Sequence, residues 1–453
     1  MGSMYHIAML PWFAVGHMTP FLHLANKLAE RGHKITFFLP TKAQYQLQHH
    51  NRHPELITFH PLSVPQVEGL PPGTETASDI PIYMTNLLAV AMDLTRDQVE
   101  VSLRASKPDF VFFDFAFWVA ELSRQLGIKS VCYNVVSAAS LAIALVPARN
   151  VPKDRAITEE ELAVPPPGYP SSTILMKKHE ARSLTFISQE FGEGVTFYER
   201  CVFGMKNCDA IAIRTCVEIE GQLCDYIGSQ FEKKVLVSGP VLPDPSTAPL
   251  DEKWNQWLGG FQPGSVVFCA FGSQFILEKK QFQELVLGFE LTGLPFFIAV
   301  KPPTGTETVE EALPEAFEER VRERGVVYGG WVQQLLMLNH SSVGCFVSHC
   351  GFGSMWESLM SDCQIVLIPQ LGDQILNTRL MAQELKLAVE VDREDTGWFS
   401  KESVCKAIKS VMDKDSEMGS LVRKNHAKWK QALVSKGIMT EYINRFVQSL
   451  EQL

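Results

Sequence analysis

The strongest constraint on the fold is an alternation that runs along the chain, stops, and starts again. Short apolar runs alternate with helical patterns: YHIAML (Tyr5 to Leu10), FLHLANKLAERG (Phe21 to Gly32), KITFFLP (Lys34 to Pro40), then DFVFFDF (Asp109 to Phe115), a helix, and KSVCYNV (Lys129 to Val135). Strand–helix–strand repeats of this kind predict a parallel sheet covered by helices on both faces. The pattern breaks at GPVLPDPSTAPLDE (Gly239 to Glu252), where four prolines indicate a linker. Beyond it the alternation resumes. GSVVFCAFGS (Gly264 to Ser273) reads as strand and turn, and KKQFQELVLGFELTG (Lys279 to Gly293) as a helix. PFFIAV (Pro295 to Val300), GVVYGG (Gly325 to Gly330), CFVSH (Cys345 to His349) and IVLIP (Ile365 to Pro369) read as further strands.

At 453 residues the chain exceeds one ordinary core. Two α/β domains are expected: residues 1–242 and 253–430, joined by a linker at 243–252. A C-terminal helix within 431–453 is expected to return to the first domain. In open α/β sheets, ligands sit beyond the carboxyl ends of the strands. Two such domains facing each other would form a cleft there.

Composition removes several function classes. The formal net charge is −10, with no lysine- or arginine-rich block, so nucleic acid is not an expected partner. Met1 to Trp12 lacks the apolar core of a signal peptide, and no run approaches the length of a membrane span. The richest apolar stretch, Phe110 to Ala120, is short and contains Asp114. The expectation is a cytoplasmic monomer without membrane insertion. Ten scattered cysteines, none in a CxxC pair, fit neither zinc nor a disulfide framework and read as small core residues.

Two places could carry chemistry. PWFAVGHMTP puts His17 after the first strand, and histidine is the side chain best suited to proton transfer near neutral pH. Asp114 ends another predicted strand on the same sheet edge. Its carboxylate could orient one imidazole nitrogen and leave the other as base, or it could cap the helix starting near Phe117. The first strand is not followed by GxGxxG, which weakens a dehydrogenase reading. In the second half, FGSQ (Phe271 to Gln274) turns directly after a strand. Ser273 could donate to a phosphate there, or the segment could be a plain turn. SHCGFGSMWES (Ser348 to Ser358) takes a strand through glycines into a helix near Ser354, and such a helix start favours an anion.

The 44-residue run from Trp331 to Gln374, WVQQLLMLNHSSVGCFVSHCGFGSMWESLMSDCQIVLIPQLGDQ, resembles the signature box of plant UDP-sugar-dependent glycosyltransferases. The initial Trp, the HCG, the Glu eight residues after the His, and the closing Asp-Gln all fall in place. The resemblance covers essentially the whole chain, including Gly16-His17, Asp114, Gly239-Pro240 and Phe271-Gly272-Ser273. It implies an α/β fold of the GT-B class: two facing Rossmann-like domains with an interdomain cleft. It also implies roles. His17 would be the base on the acceptor hydroxyl, oriented by Asp114. Trp331 would stack on uracil, with Val332 beside it in the donor site. Gln334 and Glu357 would bind the nucleoside, Glu357 on the ribose hydroxyls. His349, Ser354 and Ser273 would bind the diphosphate, with Gly351 and Gly353 in the same loop. Asp373 and Gln374 would bind the transferred sugar. The donor half shows no clear DxD-type metal motif, with Asp362 and Asp373 isolated, so no metal or other cofactor is expected beside the UDP-sugar co-substrate.

Two departures stand out. The family's HCGWNS is here His349-Cys350-Gly351-Phe352-Gly353-Ser354, so an asparagine side chain is lost at Gly353. The family's WxPQ is here Trp331-Val332-Gln333-Gln334, without its proline. These variants, with VEGLPPGTETASDIP (Val67 to Pro81), are similar to a branch that adds a second sugar to anthocyanin and flavonol 3-O-glucosides. The function implied is an inverting transfer from a UDP-sugar, by default UDP-glucose, to the 2″-hydroxyl of a flavonoid glycoside. Transfer to flavonoid or terpenoid aglycones, 6″-O rhamnosyl or xylosyl transfer, and a non-catalytic UDP-sugar or flavonoid binder are the alternatives.

Overall fold

The computed structural model describes residues 4–242, 248–272, 275–435 and 437–453. Seven strands form the first sheet: β1 (His6–Leu10), β2 (Lys34–Pro40), β3 (Ile57–Leu62), β4 (Phe110–Phe113), β5 (Lys129–Asn134), β6 (Ala210–Ile213) and β7 (Val235–Val237). Their order is β3-β2-β1-β4-β5-β6-β7 and every pairing is parallel. All four residues of β4 and of β6 are buried, as a sheet covered on both faces requires.

Six strands form the second sheet: β8 (Val266–Ala270), β9 (Phe296–Ala299), β10 (Gly325–Tyr328), β11 (Val343–Ser348), β12 (Gln364–Leu367) and β13 (Val389–Glu390). Their order is β10-β9-β8-β11-β12-β13, again all parallel. The central strands put Phe268, Phe297 and Phe346 on one face and Val267, Ile298 and Val347 on the other, each in its own apolar cluster. No helix among the described residues is long and apolar enough to cross a membrane.

The chain separates into two compact units. One is made of the described residues of Met1–Ser171, Ser183–Pro243 and Gly437–Leu453. The other is made of Ser172–Arg182 and Asp244–Lys436. The segment Ser172–Arg182 departs from the expected division, which left it in the first domain. Charge explains its placement: Glu180 is buried and receives both Arg379 and Arg393 of the second unit. The C-terminal helix Ile438–Leu450 belongs to the first unit. It turns Ile443, Phe446 and Leu450 into the same cluster as Phe112 and Tyr133, and Tyr442 receives the Val217 N–H at 2.9 Å.

Helix starts differ from the sequence pattern in a way that matters for function. The first helix runs from Val15 to Ala29, not from Phe21, because Pro20 is accommodated inside it. Proline forfeits one intrahelical bond there but does not stop the helix. His17 therefore sits in the first turn rather than in a loop. The helix after β11 likewise begins at Phe352, two residues before Ser354.

The loop after β11 depends on the strand's register, and that register turns on Gly344. The pairing of β11 with β8 shifts between Val343 and Cys345, and a Cβ on Gly344 would lie 2.0 Å from the Gly264 carbonyl oxygen. Gly344→Ala is expected to destabilise the second unit by about 1–3 kcal/mol, as forced overpacking does. Gly259→Ala, where a Cβ meets nothing within 4 Å, is the neutral control. Urea midpoints followed by circular dichroism check the pair; equal midpoints would remove Gly344 as a packing constraint.

Candidate active site

The strand order of the first sheet reverses between β1 and β4, whose ends are paired Leu10 to Phe113. Crevices open at such reversals, at the carboxyl edge. His17 leaves β1 on this edge and Asp114 directly follows β4. The His17 Nδ1 lies 2.7 Å from Asp114 Oδ2. The other carboxylate oxygen, Oδ1, accepts the backbone N–H groups of Trp12 and Phe115, each at 2.7 Å. Asp114 is 7% exposed, so these donors replace water around its charge. It does not cap the following helix Val119–Leu126, whose N-cap is Trp118. A carboxylate only accepts, so Nδ1 carries the proton and Nε2 holds a lone pair. The Phe115 ring stands edge-on to the imidazole, 5.4 Å between centroids.

The second sheet reverses between β8 and β11, paired Ala270 to Ser348. The loops after these two strands meet at His349. A Cβ on Gly272 would lie 3.0 Å from His349 Nε2, and one on Gly351 would lie 2.6 Å from it. Gly272 also has φ +68°, which favours glycine. His349 Nδ1 is buried without a hydrogen-bond partner among the described residues. Burial pushes the ring's pKa down to about 4, against a smaller opposing influence of the Ala270 backbone. His349 is therefore a neutral imidazole at neutral pH and can present an N–H without a charge.

After His349 the backbone takes an uncommon path. Cys350 has φ +62°, outside the range a side chain prefers. The turn is held from two sides: Cys350 N–H donates to Ser348 Oγ at 3.1 Å, and its carbonyl accepts from Asn377 Nδ2 at 3.0 Å. The helix Phe352–Met360 starts here, and its first helical bond from the loop is Met355 N–H to the Gly351 carbonyl, 2.9 Å. The N–H groups of Phe352, Gly353 and Ser354 precede that bond and face out of the helix start.

Gln334 ties this turn to Glu357. Its Nε2 donates to Ser354 Oγ at 3.1 Å and to Glu357 Oε2 at 2.5 Å. Trp331 is 82% exposed, a bare indole face beside a depression of about 770 Å³ that Tyr328, Trp254 and Asp251 also line. Val332 next to it is buried and anchors the loop. Gln333, in the place of the family's proline, accepts the Asp251 N–H at 2.8 Å and donates to the Pro249 carbonyl at 3.2 Å. The altered residue thus fastens the loop through its side chain instead of through a ring.

Asp373 and Gln374 lie in the first turn of the helix Gly372–Arg379. Gln374 is buried, and its Oε1 accepts the N–H groups of Gln370 and Leu371 at 3.0 and 3.1 Å. Its carbonyl end holds the loop, which leaves the amide NH₂ as the end suited to a ligand. Ser273 lies outside the described residues. The structure thus brings His17 to Asp114, and Gln334 to Ser354 and Glu357, and places His349, Gly351 and Gly353 on one turn. Sequence reasoning passed over Asn377 and Phe115. Asn377 stands three residues past Gln374, and an amide fully buried within a helix is the signal it gives.

Residues 312–426 match the family described as UDP-glucoronosyl and UDP-glucosyl transferase. Over 454 residues the chain is 59% identical to UDP-glycosyltransferase 79B6 of Arabidopsis thaliana, covering 100% of this chain and 98% of that one. It is 58% identical to the Arabidopsis thaliana anthocyanidin 3-O-glucoside 2'''-O-xylosyltransferase, covering 100% and 97%. Among solved structures, a UDP-glucosyltransferase from Polygonum tinctorium capable of glucosylating indoxyl superposes with a TM-score of 0.80 at 21% identity, covering 100% and 99% of the two chains. Arabidopsis thaliana UGT89C1 complexed with UDP-L-rhamnose gives a TM-score of 0.77 at 21% identity, covering 99% and 100%. The structural likeness shows the fold, which is of the GT-B class. The sequence identity shows the family: the chain is an enzyme of the UDP-glycosyltransferases.

Proposed function

We propose that this enzyme transfers a sugar from a UDP-sugar to a hydroxyl on the sugar of a flavonoid glycoside, in one inverting displacement with His17 as base. The observation that carries the reading is the 2.7 Å contact of His17 Nδ1 with a buried carboxylate, which leaves Nε2 able to take a proton. As the acceptor oxygen attacks the anomeric carbon, its proton passes to Nε2. The imidazolium so formed is stabilised by Asp114. The bond to the diphosphate breaks, and UDP leaves from the opposite face with the electron pair.

The donor residues suit that leaving group. The exposed Trp331 indole offers a stacking face for uracil. Glu357, held by Gln334, accepts from both ribose hydroxyls. The N–H groups of Gly353 and Ser354, the Ser354 hydroxyl, Ser273 and neutral His349 donate to the diphosphate. Fixed donors aimed at developing charge are the usual source of rate in such reactions. These groups answer the charge on the leaving diphosphate with dipoles, so the reaction proposed is metal-independent. Asp373 and the Gln374 amide are assigned to the transferred sugar.

The relatives support the acceptor class, one of them being named for an anthocyanidin 3-O-glucoside. Glucose is the donor sugar proposed. The same relative is named a xylosyltransferase, which makes UDP-xylose the second donor to test. Measuring UDP release for both donors against aglycones and their 3-O-glucosides decides the matter, with product NMR giving the linkage. Transfer confined to aglycones would defeat the sugar-on-sugar reading.

His17→Ala is expected to lower turnover by about 10²–10⁴-fold, the usual worth of a general base. UDP affinity by calorimetry should stay within about twofold. Near-normal turnover would remove His17 as base.

The two loop glycines should differ in how far they tolerate a side chain. A Cβ at Gly351 would strike His349 Nε2 at 2.6 Å, whereas one at Gly353 meets nothing within 4 Å. Gly351→Ala is expected to weaken UDP binding about tenfold or more, roughly 1.4 kcal/mol. Gly353→Asn should change it less than that, by about 1 kcal/mol, one hydrogen bond's worth. The reverse order in a UDP titration would place the diphosphate elsewhere.

A further inference from the structure

Behind the proposed base lies a charged pair that the reaction scheme does not use. Arg200, on the helix Phe197–Asn207, is 0% exposed. It meets Asp93, the last residue of the helix Thr85–Asp93, in a two-pronged contact: Nη1 to Oδ1 at 2.9 Å and Nη2 to Oδ2 at 2.5 Å. Trp118 Nε1 donates to the same Asp93 Oδ1 at 3.0 Å. A lysine could not reproduce this planar fork.

The rest of the guanidinium reaches toward the site. Nη1 donates to the Phe115 carbonyl at 3.0 Å, and Nε to the Phe191 carbonyl at 2.7 Å. Phe115 is the residue whose own N–H, at 2.7 Å, fixes Asp114 Oδ1. Its ring also stands against His17, and Phe191 packs 5.7 Å from that ring. The residue following Asp114 is thus gripped at both ends, by Asp114 through the N–H and by Arg200 through the carbonyl. Space is kept for the arrangement at Gly192, where a Cβ would fall 1.9 Å from Arg200 Nη2.

We propose that Arg200 and Asp93 are positioning residues for the His17–Asp114 pair, holding the Asp114–Phe115 backbone so that the carboxylate meets Nδ1. This rests on the reading of His17 as base. An ion pair serving only to hold helices together would need no bond to Phe115. Positioning within a few tenths of an ångström governs such reactions, because small displacements of a reacting group cost large factors in rate.

The test is a set of double-variant comparisons in the full-length enzyme. Arg200→Lys is expected to lower kcat tenfold or more, with the donor KM and UDP affinity within twofold of the parent. In an Asp114→Asn background, where the carboxylate is already lost, the same substitution should cost less than twofold. A kcat within twofold of the parent, or a full tenfold loss that persists in Asp114→Asn, would overturn the proposal. Should Arg200→Lys not accumulate as folded protein, Asp93→Asn carries the same comparison: at least a threefold loss, vanishing in Asp114→Asn, supports positioning, and an additive loss refutes it. Asp114→Asn alone separates the two ideas. If it turns over like the parent, the base reading fails; if it is slow and Arg200→Lys is not, only the positioning role fails.

Discussion

The site chemistry depends on one topological constraint, the reversal of strand order within each parallel sheet. In such a sheet every carboxyl end lies on one edge, and at the reversal the connections leave to opposite faces and open a crevice. Both sheets reverse at their first strand, β1 against β4 and β8 against β11. Every group assigned to proton transfer or phosphate grip follows one of these four strands. Residues 97 positions apart, His17 and Asp114, meet because Leu10 and Phe113 are register partners. The same rule joins the loop at Gly272 to His349 across the pair Ala270 and Ser348.

At those crevices the fold tolerates features that would be unfavourable elsewhere. A buried carboxylate is costly unless donors replace its water. Asp114 has three: two backbone N–H groups and the His17 ring. The loop after β11 goes further, with a non-glycine residue at φ +62° and a buried imidazole nitrogen that has no hydrogen-bond partner among the described residues. Such departures cluster at functional sites, where surrounding structure holds them in place. Here Ser348 and Asn377 do so, bonding the Cys350 N–H and carbonyl. A bound diphosphate would supply acceptors to groups that the fold leaves aimed outward.

Much of this was legible in the sequence, and what was not has identifiable physical causes. Strand Lys34–Pro40 is read to the residue because apolar β-branched and aromatic side chains fill it. Helix starts were misplaced at Val15 and Phe352 because Pro20, Gly351 and Gly353 signal breaks that packing overrides. Ser172–Arg182 gives no local sign of its unit, since its placement comes from Glu180 meeting arginines about 200 positions later. Nothing local in FYERCVFGMKN marks Arg200 as buried; its bonds to Asp93 and Phe115, about 100 positions earlier, come from the fold. The dyad itself was legible from two strand ends, but the backbone donors that hold Asp114 were not.

Gly353 marks the clearest departure from the family's signature, and the surrounding bonds show how it is absorbed. The family's asparagine offers an amide at this position, and Gly353 offers only its backbone. Gln334 gives two bonds from its amide, one to Ser354 Oγ and one to Glu357. Because Ser354 accepts from Gln334, its own O–H proton is not needed to satisfy Glu357 and stays available for the phosphate contact proposed above. A serine that instead donated to the carboxylate would turn only lone pairs toward the anion. The Gln334 amide therefore sets the direction of the Ser354 hydroxyl while holding the Glu357 carboxylate. With the N–H groups of Gly353 and Ser354 already aimed outward at the helix start, the proposed phosphate grip has one side-chain donor fewer and the same polarity.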